Sequence, residues 1–236
     1  MPQRTLLIIP AYNEEKSIKK TVDSILNLPY DYIIINDGST DNTKSILEKN
    51  QFNHLNLDFN LGIGGAVQTG YKYAYENNYN IAIQFDADGQ HDIKYIEDLI
   101  KPIKEQKADL VIGSCFVDKS LKNQRSSKIR RLGILFLTFI IKLFSGKKIY
   151  DPTSGFRAAN KKIIARFAKS YPLEYPEPVS NLQLSKIKNI KIKEVPVKMN
   201  RREAGKSSIH SWKSIYAAIN VFLSIIILGI GRKKYD

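Results

Sequence analysis

The sequence predicts an α/β fold whose mainly parallel sheet is covered by helices on both faces, and three observations carry that expectation. Apolar, β-branched runs at residues 6–9, 32–35, 81–85 and 110–112 alternate with stretches of helical periodicity at 14–26, 42–49, 64–76 and 94–104. The runs are nearly all apolar rather than alternating, as strands covered on both faces are. The segments that follow them, "PAYNEE", "NDGSTDN", "NLGIGGA" and "DADGQH", are polar and carry Asp, Asn and Gly. In such sheets ligands gather at the carboxyl ends of strands, so function is expected in these four segments.

The first run lies in "MPQRTLLIIPAYNEE", where five apolar residues give way to acids. That is too short for a membrane span and wrongly flanked for a signal peptide, so it reads as a strand. After the second run, Asp37-Gly38-Ser39 is turn chemistry, with Ser39, Thr40 or Asp41 as the expected N-cap of the next helix. "LGIGGA" looks like a phosphate-cradling glycine loop, although a dinucleotide fingerprint belongs after the first strand and this one begins near residue 61. The third run ends in Asp86-Ala87-Asp88-Gly89-Gln90. Residues i and i+2 of an extended chain share a side, so Asp86, Asp88 and Gln90 can converge on one point. Two carboxylates and an amide there call for a cation.

Composition narrows the partners. The chain has 236 residues, 43% of them hydrophobic, enough for a large core. Cys115 is its single cysteine, which excludes an internal disulfide framework. The net charge of +14 is unevenly placed: residues 1–118 hold 11 Lys/Arg against 17 Asp/Glu, and residues 119–236 hold 26 against 6. The second half is therefore expected to face something anionic. Nucleic acid is excluded, because neither interleaved surface aromatics nor a recognition module accompanies the basic residues. Within residues 125–148, seven Lys/Arg and no acid flank an apolar middle with Phe136, Phe139 and Phe144, a composition suited to a bilayer interface. Residues 215–230 form a second apolar run, shorter than the roughly 20 residues a span needs. It reads as an interfacial or oligomer-forming helix, with a buried core helix as the alternative.

Six strings together, "IPAYNEE", "NDGSTDNT", "NLGIGGAVQTGY", "DADGQH", "DPTSGFR" and "RREAGKSS", give the chain a resemblance from about residue 6 to about residue 208. It resembles the family 2 inverting glycosyltransferases of the GT-A fold, a Rossmann-like architecture, and within them the polyprenyl-phosphate glycosyltransferases. The resemblance implies that Pro10, Tyr12, Asn13, Glu14, Asp37, Gly64, Asp86, Ala87 and Arg202 bind the donor nucleotide, and that Asp86, Asp88 and Gln90 hold Mg²⁺ or Mn²⁺. Asp86, Asp88 and Arg202 would then carry catalysis, Arg202 through the donor phosphates. Arg130, Arg131, Ser154, Arg157, Glu177 and Ser207 would serve the acceptor. Residues 1–118 are expected to form the nucleotide-sugar and metal half and 119–208 the acceptor half, including an interface helix at about 128–145; an apolar helix and basic tail follow at 209–236.

Three positions depart from the family pattern: Cys115 stands where relatives usually carry arginine, Ser208 where dolichol-phosphate mannose synthases have lysine, and Val179 where close bacterial relatives tend to have glutamate. The implied reaction moves a sugar from a nucleotide diphosphate, a UDP-sugar, to undecaprenyl or another polyprenyl phosphate. The expected location is peripheral, on the cytoplasmic face of the membrane, with a homo-oligomer or a small membrane protein as further partners. Two alternatives stand beside it. One is an enzyme of the same fold that extends a saccharide, which would need Asp151 or Glu177 as a base. The other is a catalytically silent subunit that binds anionic lipid.

Overall fold

A computed structural model describes residues 3–118, 128–200 and 211–230, with the backbone alone at 128–130 and 211–219. One seven-stranded sheet organises them: β1 (Thr5–Ala11), β2 (Asp31–Asn36), β3 (His54–Asn56), β4 (Ile81–Gln84), β5 (Leu110–Ser114), β6 (Arg157–Asn160) and β7 (Ile192–Pro196), in the order β3-β2-β1-β4-β6-β5-β7. β1 pairs in parallel with β2 and β4, and β5 with β7, whereas β6 runs antiparallel between β4 and β5. The mainly parallel sheet is as predicted. β3, β6 and β7 are additions to the sequence-based expectation.

All seven residues of β1 are buried, as a central parallel strand requires. Its alternate side chains feed two cores. Leu6 and Ile8 join Ile33, Ile35, Val67, Tyr71 and Phe167 on one face, while Leu7 and Ile9 join Val22, Ile34, Leu99, Ile100 and Phe156 on the other. Helices cover both faces: α1 (Ile18–Ile25), α2 (Thr43–Lys49), α3 (Gly62–Glu76), α4 (Ile96–Lys104), α5 (Lys128–Ser145), α6 (Lys161–Lys169), α7 (Pro176–Ser185) and α8 (Ser211–Ile230). α6 and α7 are also additions.

α1 starts four residues later than the periodicity predicts. Asn13 sits at φ 55°, outside helical space, and the Glu14 carboxylate accepts the Ser17 hydroxyl at 2.5 Å, so residues 13–17 form a turn instead. The N-cap of α2 also differs from expectation. It is Asn42, and its side chain caps nothing, while Asp41 Oδ1 accepts the Thr43 amide at 2.9 Å. Ser39 and Thr40 turn instead to Asn13, across the mouth of the sheet.

Candidate active site

The carboxyl ends of β1, β2 and β4 lie side by side, and the loops leaving them are tied together before any ligand is considered. The Asn13 amide donates to Ser39 Oγ at 3.0 Å, the Glu14 amide to Thr43 Oγ1 at 2.9 Å, and the Thr40 amide to Asn13 Oδ1 at 2.8 Å. Pro10 is buried within β1, Glu14 is nearly so, and Tyr12 projects into solvent at 44% exposure. Asp37 is 3% exposed, and its Oδ1 accepts the Leu61 amide at 2.7 Å. Burial raises its carboxyl pKa, against the lowering pull of the Leu61 and Gly62 amides. Asp37 therefore pins the start of α3 to the end of β2.

Gly64 has a packing reason that the string alone hides. Its amide donates to the Leu173 carbonyl at 3.1 Å, and a Cβ there would collide with the carbonyl oxygens of Pro172 and Leu173. The glycine admits the 172–173 backbone, and its amide is spent on that contact rather than turned to a phosphate. A glycine is needed here for that close approach, whatever part the loop takes in binding the donor.

The carboxylate cluster lies beyond β4. Asp86 and Asp88 are partly exposed, while Ala87 between them is buried and its carbonyl accepts the Thr21 hydroxyl at 2.9 Å. Asp88 Oδ1 accepts the Gln90 amide at 3.0 Å, which closes the turn, and Asp86 Oδ1 accepts Gln84 Nε2 at 3.2 Å. The Asn200 amide donates to the Gln90 carbonyl at 2.8 Å, so the second half of the chain also reaches this turn. Arg202 and Ser207 lie outside the described residues.

"DPTSGFR" packs directly on the cluster. A Cβ on Gly155 would stand 2.7 Å from Gln84 Nε2 and 3.1 Å from Asp86 Oδ2, so only glycine lets this segment approach the carboxylate so closely. Arg157 is paired with Gln84 across β4 and β6 and is fully buried. Its Nε and Nη2 donate to the Ser154 carbonyl at 3.2 and 2.6 Å, and its Nη1 to Ser180 Oγ at 3.1 Å. A guanidinium so enclosed offers no surface to a lipid phosphate arriving from solvent. Its observed partners are the Ser154 carbonyl and the Ser180 hydroxyl, so it holds the Ser154 segment in place. Ser154 itself is buried. Glu177, at the start of α7, is partly buried; loss of hydration raises its carboxyl pKa, opposed by Arg157 and by its bond to Gln84, and Asp86 raises it further. Asp151 and Glu194 fix the loop's entry: Glu194 accepts the Tyr150 and Asp151 amides, both at 2.8 Å, and Asp151 accepts the Cys115 amide at 3.2 Å. Arg131 is exposed on α5; Arg130 is placed there by its backbone alone.

Mg²⁺ or Mn²⁺ is the group the resemblance implies. Among the described residues no three His, Cys, Asp or Glu side chains form a cage able to hold a metal by themselves. Two partly exposed carboxylates and the Gln90 side chain, all oxygen donors on one short turn at a strand's end, nevertheless fit a hard divalent ion that takes the rest of its oxygens from a diphosphate.

His91, which closes the string "DADGQH", has no role that the string itself announces. Its ring is buried, stacked on Phe156 at 4.4 Å between centroids and edge-on to Phe85. Burial pushes the imidazole pKa down to about 4, opposed by the nearby Asp88 carboxylate. A histidine with a depressed folded-state pKa lets the unfolded chain bind the proton first, so its stabilising contribution is lost as pH falls from about 6.5 to about 4. In metal-free protein this one group should remove about 3 kcal/mol of unfolding free energy between pH 7 and pH 4. Urea unfolding of the parent and of His91→Asn at both pH values measures it, and parallel losses in the two proteins would refute it.

The profile of the family described as glycosyl transferase family 2 matches residues 6–167. The UDP-N-acetylglucosamine–dolichyl-phosphate N-acetylglucosaminyltransferase of Methanococcus voltae is 35% identical, over 96% of each chain. The undecaprenyl-phosphate mannosyltransferase of Micrococcus luteus is 28% identical over 92% of each chain. Among solved structures, glucosyl-3-phosphoglycerate synthase from Mycobacterium tuberculosis, in complex with Mn²⁺, UDP and phosphoglyceric acid, superposes with a TM-score of 0.69 at 17% identity, covering 98% of this chain and 80% of that one. That likeness establishes the GT-A fold.

Proposed function

The chain belongs to glycosyl transferase family 2 and is a glycosyltransferase, and from its site we propose that it transfers a sugar from a UDP-sugar to a polyprenyl phosphate at a membrane surface, with inversion at the anomeric carbon. The relatives named for dolichyl and undecaprenyl phosphate support the acceptor class. The observation that carries the reading is the outward apolar face of α5 and α8. On α5, Leu132, Leu135, Phe136, Phe139 and Leu143 recur at helical spacing and all point outward, Leu132 at 69% exposure, while Ile134 and Ile141 are buried. Phe222, Leu223, Ile227 and Ile230 of α8 continue that face, and Phe136 meets Phe222 at 5.8 Å. A water-facing surface of this kind flanked by Lys and Arg matches the chemistry of an interfacial helix pair. Among the described residues no helix is long and apolar enough to cross a membrane.

In this reading a phosphate oxygen of the lipid attacks the anomeric carbon and the nucleotide diphosphate leaves from the opposite face. The lipid phosphate is already anionic, so the site must position it rather than deprotonate it. Asp86, Asp88 and Gln90 would hold the divalent ion, which when bound supplies Lewis-acid stabilisation of the leaving diphosphate. Asp37, Asn13 and the loops they lace would shape the nucleotide pocket. Arg202 is assigned to the donor phosphates, where a planar guanidinium can bind two oxygens. Arg130 and Arg131 are assigned to the acceptor phosphate, as guanidinium donors that would stand in for the arginine missing at Cys115. Transfer to a saccharide is disfavoured, because Asp151, one of its two candidate bases, already accepts the Cys115 amide and the Thr153 hydroxyl.

The test is a panel of nucleotide sugars incubated with undecaprenyl or dolichyl phosphate in anionic liposomes, with Mn²⁺ or with excess chelator, and read by the mass of the lipid product. A glycosyl-phosphoryl lipid formed from a UDP-sugar only with metal is the expected result. Arg130→Glu combined with Arg131→Glu should weaken liposome binding about 30-fold or more, since each basic residue near an anionic surface contributes on the order of 1 kcal/mol. Products formed on free saccharides alone would reject the lipid acceptor.

A further inference from the structure

The imidazole of His91 touches Asp86 twice. The Asp86 amide donates to His91 Nδ1 at 2.9 Å, which leaves that nitrogen bare, so the proton of the neutral ring sits on Nε2. Nε2 stands 3.6 Å from Asp86 Oδ2, beyond hydrogen-bond length but close enough for the N–H dipole to orient the carboxylate. The ring has no freedom to turn away, since it is stacked on Phe156, meets the edge of Phe85 and is buried. Gln84 Nε2 holds the other oxygen of the same carboxylate at 3.2 Å. One oxygen of Asp86 thus faces Gln84 and the other His91, with Gly155 packed close against the second.

We infer that His91 is the positioning residue of the proposed cation site: through Nδ1 it fixes the Asp86 backbone at the end of β4, and through Nε2–H it sets the orientation of the Asp86 carboxylate before the ion arrives. The inference rests on the assignment of Asp86 as a metal ligand. Groups that fix a ligating residue govern affinity because a ligand that arrives oriented loses less freedom on binding, and removing such an outer-shell partner typically weakens metal affinity about 10- to 100-fold.

Two substitutions separate the functions of the ring nitrogens. In His91→Asn the side-chain oxygen occupies the place of Nδ1 and can still accept the Asp86 amide, but no donor reaches the carboxylate. In His91→Gln the amide nitrogen reaches the place of Nε2 and restores that donor. Mn²⁺ is titrated into each protein in the presence of UDP and free Mn²⁺ is followed by electron paramagnetic resonance, so that turnover is not the readout. His91→Asn, which keeps the Nδ1 acceptor but loses the donor, should bind Mn²⁺ about 10-fold or more weakly than the parent, and His91→Gln, which regains the donor but leaves the Asp86 amide without its acceptor, should recover part of that loss. Equal affinity of parent and His91→Asn, or equal losses in both variants, would overturn the inference. A parent protein that binds no Mn²⁺ would overturn the metal assignment beneath it, a distinct result. Should His91→Asn fail to fold, the imidazole ¹⁵N spectrum of the parent decides: a bare Nδ1 and a protonated Nε2 that shifts on addition of Mg²⁺ and UDP support the assignment, and the opposite tautomer refutes it.

Discussion

Replacing Asp88 by asparagine is expected to lower kcat about 1000-fold while the melting temperature of the ligand-free protein moves by no more than about 2 °C. The two halves of that expectation come from different parts of the same side chain. Asp88 Oδ1 accepts the Gln90 amide at 3.0 Å, and an asparagine oxygen can accept it equally well, so the turn is preserved. The residue is partly exposed, and substitutions of that kind away from a core usually stay within about 0.5 kcal/mol. What asparagine lacks is the negative charge. Metal assistance to a leaving diphosphate is worth several kcal/mol, and each 1.36 kcal/mol is about a factor of ten in rate. Initial rates with saturating UDP-sugar, and melting in parallel, measure both. A variant that turns over at the parental rate, or a parent that keeps full activity in excess chelator, would refute the cation site.

Asp88 also shows what a sequence can and cannot reveal. Its place at a strand's end follows from the apolar run 81–85 and the shared side of residues i and i+2, both properties of the local chain. The long central strands were legible for the same reason: Leu6, Leu7, Ile8 and Ile9 are all buried, and no other element explains four such residues in a row. β6 was not legible. It reads Arg-Ala-Ala-Asn, without a β-branched residue, and is a strand because it fills the gap between β4 and β5 in antiparallel register. β3 is three residues long and lies at the sheet edge, too short for any periodicity. At the site, the strings place these loops at the carboxyl ends of strands but do not give the partners of each side chain. Gly64 and Gly155 stand where other segments of backbone or side chain press close, at Leu173 and at Asp86, and those approaches are set by tertiary packing. His91 is similar: its neighbour Phe156 lies 65 positions away in the chain, so nothing local announces the stack.

The same remoteness governs the second large effect. Arg157→Met should cost about 3–5 kcal/mol of stability at pH 7, the loss expected when a buried guanidinium and its three hydrogen bonds are removed. The guanidinium is fully buried, donates three hydrogen bonds to Ser154 and Ser180, and lies near enough to Glu177 to lower its pKa. Methionine fills much of the volume, so the loss arises chiefly from the groups left behind: the Ser154 carbonyl without its donors, and the Glu177 carboxyl without its opposing charge. The pH dependence separates these two. Burial holds the Glu177 pKa above that of the unfolded chain, so its contribution to stability is present below the unfolded value, near 4.5, and is lost as pH rises through the folded one. Removing the guanidinium raises the folded pKa further and extends that loss, which makes the deficit relative to the parent larger at pH 7 than at pH 4. Adding Glu177→Gln to Arg157→Met should then restore part of the stability at pH 7, because the carboxylate left without Arg157 is gone. Urea unfolding of the four proteins of this cycle at both pH values decides the matter. A deficit that is the same at pH 4 and pH 7 and is not relieved by Glu177→Gln would mean that Arg157 acts through Ser154 and Ser180 alone. The segment over Asp86 would then be held by hydrogen bonds to its backbone, with no electrostatic link between α7 and the carboxylate cluster.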